Sequence, residues 1–336
     1  MVLRILVLSL ASIILFACTK SNKEEKLADI SKLETLVHEM EEELALLEVE
    51  IIELKDFHNT LLSNQENILQ QSDPNKYAFK NGFSSNRPGG DSTLSSIGIL
   101  GAEENYDKSL SEIFLTNGLD SAFSRIYHKY DFVAQVYSNS SSEISRVFPA
   151  YDIEEFLSKD IDLKSFNFYY KGNSENNPSR GPVWIPDVYV DPVGRGWILS
   201  LIQPVYQGDS LFAVLGIDIT VDEIISRYLE KGNENYLIVT KNGGIVAGNS
   251  ESIELLSFPP LRNHVYMETI QEDNFRISDF NLFNSKNQEV REMAEKLLFE
   301  GKIHYFFKDV FSPYSAHKVS FELLDWILIE FNPTPP

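Results

Sequence analysis

The residues best suited to chemistry fall in one stretch, from Val183 to Ile225. Trp184 and Tyr189 give it an aromatic opening, and Asp191-Pro192 gives it a turn. Two apolar β-runs follow, joined at Gln207-Gly208-Asp209, and the second ends on Asp218 before a helix begins. Side chains alternate along a strand, so Phe212, Val214, Gly216 and Asp218 are expected on one face. A carboxyl closing an apolar strand beside aromatic rings reads as the wall and rim of a small-ligand pocket. Asp218 also suits a plainer duty, as a carboxylate interacting with the first helical turn after Ile219. Trp184 and Tyr206 suit core packing as well as pocket lining.

Catalytic spacings are missing. The histidines at 38, 58, 128, 264, 304 and 317 show no HxxxH pairing, and a single cysteine leaves no CxxC, so no metal site is expected. No GxSxG, GxxxxGK[ST] or GxGxxG occurs. Ser315-Ala316-His317-Lys318 fits S-x-x-K without the companion motifs that give it meaning. Asp218 and Asp222 flank a helix start and do not form a calcium loop. Neither an enzyme nor a cofactor is expected.

The ends and the composition bound the rest. Arg4 is the only charge among the first eighteen residues, and Ile5 to Phe16 is an apolar run. That run is too short to span a membrane as a helix and suits a secretory leader. Leu15-Phe16-Ala17-Cys18 resembles the lipobox of bacterial lipoproteins. The resemblance implies a signal peptide over 1–17, a cut before Cys18, and acyl chains such as palmitate on a lipidated Cys18. An ordinary signal peptide that happens to end in cysteine is the alternative. Cys18 is the only cysteine, and a lone cysteine in a secreted chain calls for a reason. Several acyl chains anchor stably where one would be marginal. The expected protein is extracytoplasmic, without disulfides and held to a membrane by its N-terminal lipid. Thr19 follows the cysteine, which by the enteric sorting rule favours an outer membrane or cell surface. No second apolar run of spanning length occurs, so no transmembrane relay or output domain is expected. A net charge of −21 argues against nucleic acid and anionic lipid as partners. With 43% hydrophobic residues, 22 Phe and 15 Tyr, the chain can bury a core, expected in two domains.

A tether over 18–27 precedes the first strong pattern. Leu33, Val37, Met40, Leu44, Leu47, Ile51, Leu54, His58 and Leu61 recur at steps of four and three, a heptad seam. It predicts a long helix or coiled coil over 28–71. Leu36, Leu46, Ile52 and Leu62 widen the apolar face, so the helix should pack along its own domain. A homodimer through the seam is expected in addition, and an intramolecular helix with no dimer is the alternative. His58 reads as a register-setting polar residue.

Ser72 to Ser96 reads as a linker, with turn formers at Asp73-Pro74, Asn81-Gly82 and Asn86-Arg87-Pro88-Gly89-Gly90. Helices are expected near 103–116 and 120–130, strands near 132–137 and 144–148, and a turn over 139–142. Strands at 197–206 and 211–219 follow, with an edge or bulge at Pro204. Thr220-Val221-Asp222-Glu223 is a capping box. Asn242-Gly243-Gly244 predicts a hairpin between 235–239 and 245–248. A helix near 287–300 and strands near 303–310 and 326–331 complete the reading.

These pieces resemble the double Cache sensor, the extracytoplasmic module of many bacterial chemoreceptors and sensor kinases. Tyr-Val-Asp-Pro at 189–192, Ile-Gln-Pro-Val-Tyr at 202–206 and Val-Leu-Gly-Ile-Asp-Ile at 214–219 carry the resemblance. Val136-Tyr137 and Val147-Phe148-Pro149 match earlier strands; Tyr236–Val239, Lys241–Gly244 and Asp325–Leu328 match a second domain. The resemblance implies a mixed α/β (α+β) protein, a long N-terminal helix followed by two stacked PAS-like domains with antiparallel sheets. Ligand is implied in a membrane-distal domain over 72–230, with a membrane-proximal domain over 231–336. It carries the ligand-binding role onto Tyr189 and Asp218, with Tyr169 and Tyr170 at the family's Trp-Tyr pair, and with Trp184 and Tyr137 beside them. The arginine that amino-acid-binding members use falls on Asn167, and nothing places Arg180 or Arg195 in the pocket. Asp218 suits an ammonium, and the aromatics favour a cation. Without arginine, an α-carboxylate lacks its bidentate partner. The expected ligand is an amine-bearing small molecule, or an amino acid. The expected role is a sensor that presents its bound state to a separate membrane signalling partner. The alternative is a structural lipoprotein acting through its coiled coil, with a vestigial pocket.

Overall fold

The computed structural model describes residues 2–100, 106–158, 161–191, 195–258, 280–308 and 314–334, with side chains of the first helix from Ile30 onward. The expectations for Cys18 and the tether lie outside the side chains described. Among the described residues, no helix is long and apolar enough to cross a membrane.

The chain divides into two compact units. The larger holds Glu43–Arg227; the smaller holds the first helix up to Glu42 and the described residues from Tyr228 onward. The first helix, α1, runs Val2–Ser63, and after Asn64 a short α2 covers Gln65–Gln71.

In the larger unit all strand pairing is antiparallel. Its strands are β1 (Phe79–Lys80), β2 (Phe83–Ser84), β3 (Ser96–Ile99), β4 (Gln135–Ser140) and β5 (Ile144–Phe148). They continue with β6 (Val183–Trp184), β7 (Tyr189–Val190), β8 (Trp197–Gln207) and β9 (Ser210–Thr220). They form one nine-stranded sheet in the order β1-β2-β3-β5-β4-β9-β8-β6, with β7 also on β8. The segment expected to be a linker thus supplies three short strands. Asn81 (φ 54) and Gly82 (φ 82) both sit in the left-handed region, which tight two-residue hairpins require, so the pair turns β1 into β2. Helices α3 (Tyr106–Leu115) and α4 (Leu119–Lys129) precede β4. Strand β4 begins three residues later than the apolar pattern suggested and continues through Asn139 and Ser140, which had read as a turn.

The long hairpin β8–β9 is the centre of this sheet. Among the described residues, the outer side of β8 has no partner strand beyond β6, and Pro204 sits there, where it has no ladder bond to lose. The register shifts at Val205/Tyr206, opposite Leu211–Ala213, so Phe212 is the extra residue of a bulge. The bulge takes Phe212 off the face of Val214, Gly216 and Asp218; its ring lies 5.5 Å from that of His58 on α1. Thr220 caps the next helix, α5 (Val221–Ile224), its hydroxyl accepting from the Glu223 N–H at 3.1 Å, as the capping box predicted.

The smaller unit carries the strands β10 (Asn235–Thr240), β11 (Ile245–Gly248), β12 (His304–Phe306), β13 (Tyr314–Ser320) and β14 (Trp326–Pro333). They form a five-stranded antiparallel sheet in the order β11-β10-β14-β13-β12. Helix α6 covers Ser250–Leu255, and α7 (Gln288–Ala294) buries Val290, Met293 and Ala294. Strand β13 was not foreseen. It contains Ser315 and Lys318, whose odd spacing puts them on opposite faces, so the S-x-x-K pattern brings no serine and lysine together.

The heptad seam is spent inside the chain. Leu33, Val37 and Met40 are buried in the smaller unit, and Leu44, Leu47, Ile51, Leu54, His58 and Leu61 in the larger. Each buried leucine or isoleucine contributes about 1.5–3 kcal/mol relative to exposure. The expected dimer contact through this seam is therefore corrected: those side chains already have partners. Leu46, Val49, Ile52 and Phe57, off the seam, stay exposed. Burial holds His58 neutral and pushes it down to about 4.

Candidate functional site

Strands β4 and β9 build the site. Their pairing sets Gln135 opposite Asp218, Tyr137 opposite Gly216 and Asn139 opposite Val214. Alternation then points Gln135, Tyr137 and Asn139 to one side. On the other edge of β4, β5 brings Val147 opposite Tyr137 and Ser145 opposite Asn139. Tyr189 arrives from β7 and Asp191 from the residue after it, and Leu157, Ile161, Leu163, Phe166 and Phe168 close the far wall. Together these residues line a partly open cavity, whose space between atoms is about 410 Å³ with the solvent at its mouth included.

Gly216 makes the floor. A Cβ built there would stand 2.0 Å from the Tyr137 ring, so only glycine lets that ring lie across β9. This gives the Gly-Ile-Asp triplet a packing reason as well as a chemical one.

Asp218 is 1% exposed. Its Oδ2 accepts from Gln135 Nε2 at 2.6 Å, and its Oδ1 accepts from Ser200 Oγ at 2.5 Å. Tyr189 Oη lies 2.6 Å from the same Ser200 oxygen, so with Ser200 donating to Asp218 the phenol donates in turn. Gln135 Nε2 also reaches Asp191 Oδ1 at 3.4 Å, linking the two acids through one amide. Burial pushes the Asp218 carboxyl up to about 7, and the neighbouring Asp191 adds to the rise. The bonds from Gln135 and Ser200, and the field of Arg195, pull the other way without reversing it. Burial also lifts the Tyr137 and Tyr189 phenols well above their ordinary range, so both stay protonated.

Two polar atoms of the lining residues are buried without a hydrogen-bond partner among the described residues: Gln135 Oε1 and Asn139 Oδ1. Buried polar groups are almost always satisfied, and exceptions on one cavity mark where a ligand or water would supply the partners.

The sequence-derived residues separate into two groups. Tyr137, Tyr189 and Asp218 line the cavity. Tyr169, Tyr170 and Trp184 do not. Tyr169 packs in the core with Tyr137, Phe168 and Val214. Tyr170 is 38% exposed. Trp184 donates its indole N–H to Glu48 of α1 at 2.9 Å. The aromatic wall comes instead from Phe166 and Phe168, stacked at 5.1 Å, with Tyr137 and Tyr189 at 5.9 and 6.0 Å from Phe168. Asn167 starts a short helix (Asn167–Tyr170) and accepts from the Phe168 N–H, away from the lining set.

Neither arginine serves as a clamp. Arg180 donates to Gly208 O and to Asp209, its guanidinium 4.2 Å from the Tyr206 ring centre, at the tip of the β8–β9 hairpin. Arg195 donates to the carbonyls of Ala134 and Pro149. Among the described residues no lysine or arginine lines the cavity, and no three His, Cys, Asp or Glu side chains gather as a metal site. Gln135, Asn139, Ser145, Phe168 and Asp191 were not foreseen as lining residues. The available signal was the alternation Gln135-Tyr137-Asn139, which needs β4 in its true register.

No protein-family model matches the chain, and no curated protein matches it in sequence. Solved structures do match in shape, among them ligand-binding and sensory domains of chemoreceptors and the extracellular domain of a kinase. The sensory domain of the Campylobacter jejuni chemoreceptor Tlp3 has 14% identity and a TM-score of 0.41, over 90% of this chain and 97% of that one. The Pseudomonas fluorescens chemoreceptor CtaA domain, with L-alanine bound, has 12% identity and a TM-score of 0.39, over 61% and 74%. The extracellular domain of the histidine kinase mmHK1S-Z3, itself described as putative, has 10% identity and a TM-score of 0.39, over 63% and 77%. Likeness at this level assigns no residue role.

Proposed function

We propose that this chain is an extracytoplasmic sensor that binds a small amine in the cavity of its larger unit. The observation that carries the reading is Asp218: a buried carboxyl met by neutral donors alone, in a cavity lined by no lysine or arginine. An ammonium supplies the missing positive charge through charge-assisted hydrogen bonds, and the rings of Tyr137, Tyr189 and Phe168 favour a cation beside them. An α-carboxylate finds no guanidinium there, which sets amines ahead of amino acids. Binding extrudes the proton of Asp218, and the ligand's charge takes its place.

Calorimetric titration of the purified chain with primary alkylamines, their alcohol counterparts and simple carboxylates tests this. Amines alone should bind, and Asp218→Asn should abolish the heat. Carboxylates binding as well as amines would sink the reading.

In the same proposal Cys18 carries the lipid, the domain borders follow the sequence reading, and a separate membrane protein receives the signal. Cys18→Ala should move the chain from the membrane fraction to the soluble one. A second copy would meet the exposed side of α1, where Leu46, Val49, Ile52 and Phe57 lie off the buried seam. That face also keeps open a scaffold role for the helix. Sedimentation of the chain and of a Val49→Glu variant decides it, and a monomer in both removes the dimer.

A further inference from the structure

The cavity has a second polar end that an amine on Asp218 leaves idle. Gln135 and Asn139 face the same cavity from β4, four residues apart, which a strand spans in about 13 Å. The Gln135 end carries Asp218 and Asp191. The Asn139 end carries Ser145, its partner across the β4–β5 ladder. Both residues are nearly closed off, Asn139 at 4% exposed and Ser145 at 3%. Asn139 Oδ1 has no hydrogen-bond partner among the described residues. Between the two ends the wall is apolar or aromatic: Val147, Leu163, Phe168 and the ring of Tyr137. The lining therefore reads charged, apolar, then neutral-polar.

We propose that Asn139 and Ser145 form a second subsite, and that the ligand is a primary amine bearing an uncharged hydrogen-bonding group, a hydroxyl in its simplest form, at the far end of a short carbon chain. This rests on the amine reading of Asp218. The ammonium seats at Asp218, the methylenes lie along Val147, Leu163 and Phe168, and the hydroxyl donates to Asn139 Oδ1. An amide with a serine offers both donor and acceptor, which matches a hydroxyl. A second ammonium would lose its water with no carboxylate at that end of the lining to replace it, so the subsite selects against diamines.

The test is calorimetric titration of the chain with ω-amino alcohols of increasing length, with alkylamines of the same length and with α,ω-diamines. At one chain length the amino alcohol should bind about tenfold tighter than the matched alkylamine, a gain typical of one well-made hydrogen bond. Asn139→Leu should erase that gain, read as the ratio of amino-alcohol to alkylamine affinity measured on the same variant. Ser145→Ala, a smaller change, should reduce the same gain and covers the case in which Asn139→Leu fails to fold. Asn139→Asp should turn the preference toward the diamine.

Equal affinity of amino alcohol and alkylamine at every length overturns the second subsite while the amine reading stands. A diamine that binds tightest to the unaltered chain overturns the neutral far end. No binding by any amine removes the reading of Asp218, and this inference with it.

Discussion

Two aspartates of the larger unit are equally buried and live in opposite chemical states. Asp120 and Asp218 are each 1% exposed. Asp120 Oδ1 accepts from Arg146 Nη1 and from Ser95 Oγ, both at 2.7 Å, and Lys76 Nζ lies 2.8 Å from its Oδ2. Burial works to raise this carboxyl, and Arg146 and Lys76 overcome it, holding it below the ordinary range. Asp218 has Gln135 and Ser200 as its donors, with a second acid beside it, and burial carries it up to about 7. The difference is one of charge. Asp120 is met by two cations of the protein itself, so its role is structural. Asp218 is met by neutral donors and lines a cavity, which is the ground for the proposed ammonium.

The contrast is open to attack at several points. Arg146→Met leaves Asp120 buried beside Lys76 alone, and breaking such a pair costs about 3–5 kcal/mol. A large fall in the thermal midpoint is expected, and an unchanged midpoint would reduce the network to ornament. Asp218→Asn should do the reverse. Its carboxyl rises from an ordinary 3.8 to about 7 in the fold. Stability from that protonation is complete below 3.8 and is lost as pH climbs through about 7. An asparagine stays neutral throughout, so at pH 8 the ligand-free variant should melt roughly 2–4 °C above the wild type for each kcal/mol recovered. The same variant should give no measurable amine heat, a fall in affinity of at least about 30-fold. In the wild type, amine affinity should fall by up to about tenfold per pH unit below 7, because a proton must leave Asp218 before an ammonium can seat.

Gly216→Ala addresses the floor of the open site. Its Cβ would meet the Tyr137 ring, with an overpacking cost of about 1–3 kcal/mol. Amine binding should weaken along with stability, since Tyr137 is pushed off its seat. The smallest effect belongs to Trp184→Phe. It removes the bond to Glu48, worth about 1 kcal/mol, and should leave amine affinity unchanged. A loss of binding there would return Trp184 to the pocket.

What the sequence disclosed was local. The seam of α1, the β8–β9 hairpin with its Thr220 cap, and the carboxyl at Asp218 all rest on spacing within a few residues. Gln135 and Asn139 stayed hidden for a physical reason. Polar residues in a buried strand face a cavity here, and without the cavity in view Asn139 and Ser140 look like a turn. The apolar Phe132-Val133-Ala134 drew the strand three residues early. Asp191 read as a turn former because it precedes proline, while its carboxyl serves the cavity. Strand β13 reads Tyr-Ser-Ala-His-Lys-Val-Ser, with polar residues on both faces, so it offered no apolar alternation to read. Trp184 meets Glu48 from 136 positions away, a distance at which no pattern within one strand can speak.

The alternation along β4 constrains how this protein can change over generations. Gln135, Tyr137 and Asn139 face the cavity; Val136 and Ser138 face away. A single inserted or deleted residue just before the strand would turn all of them over at once and leave the cavity with neither its amides nor its phenol. New ligand preferences can therefore arise in this lineage by substitution at those three positions, while length variation should be confined to the loops on either side.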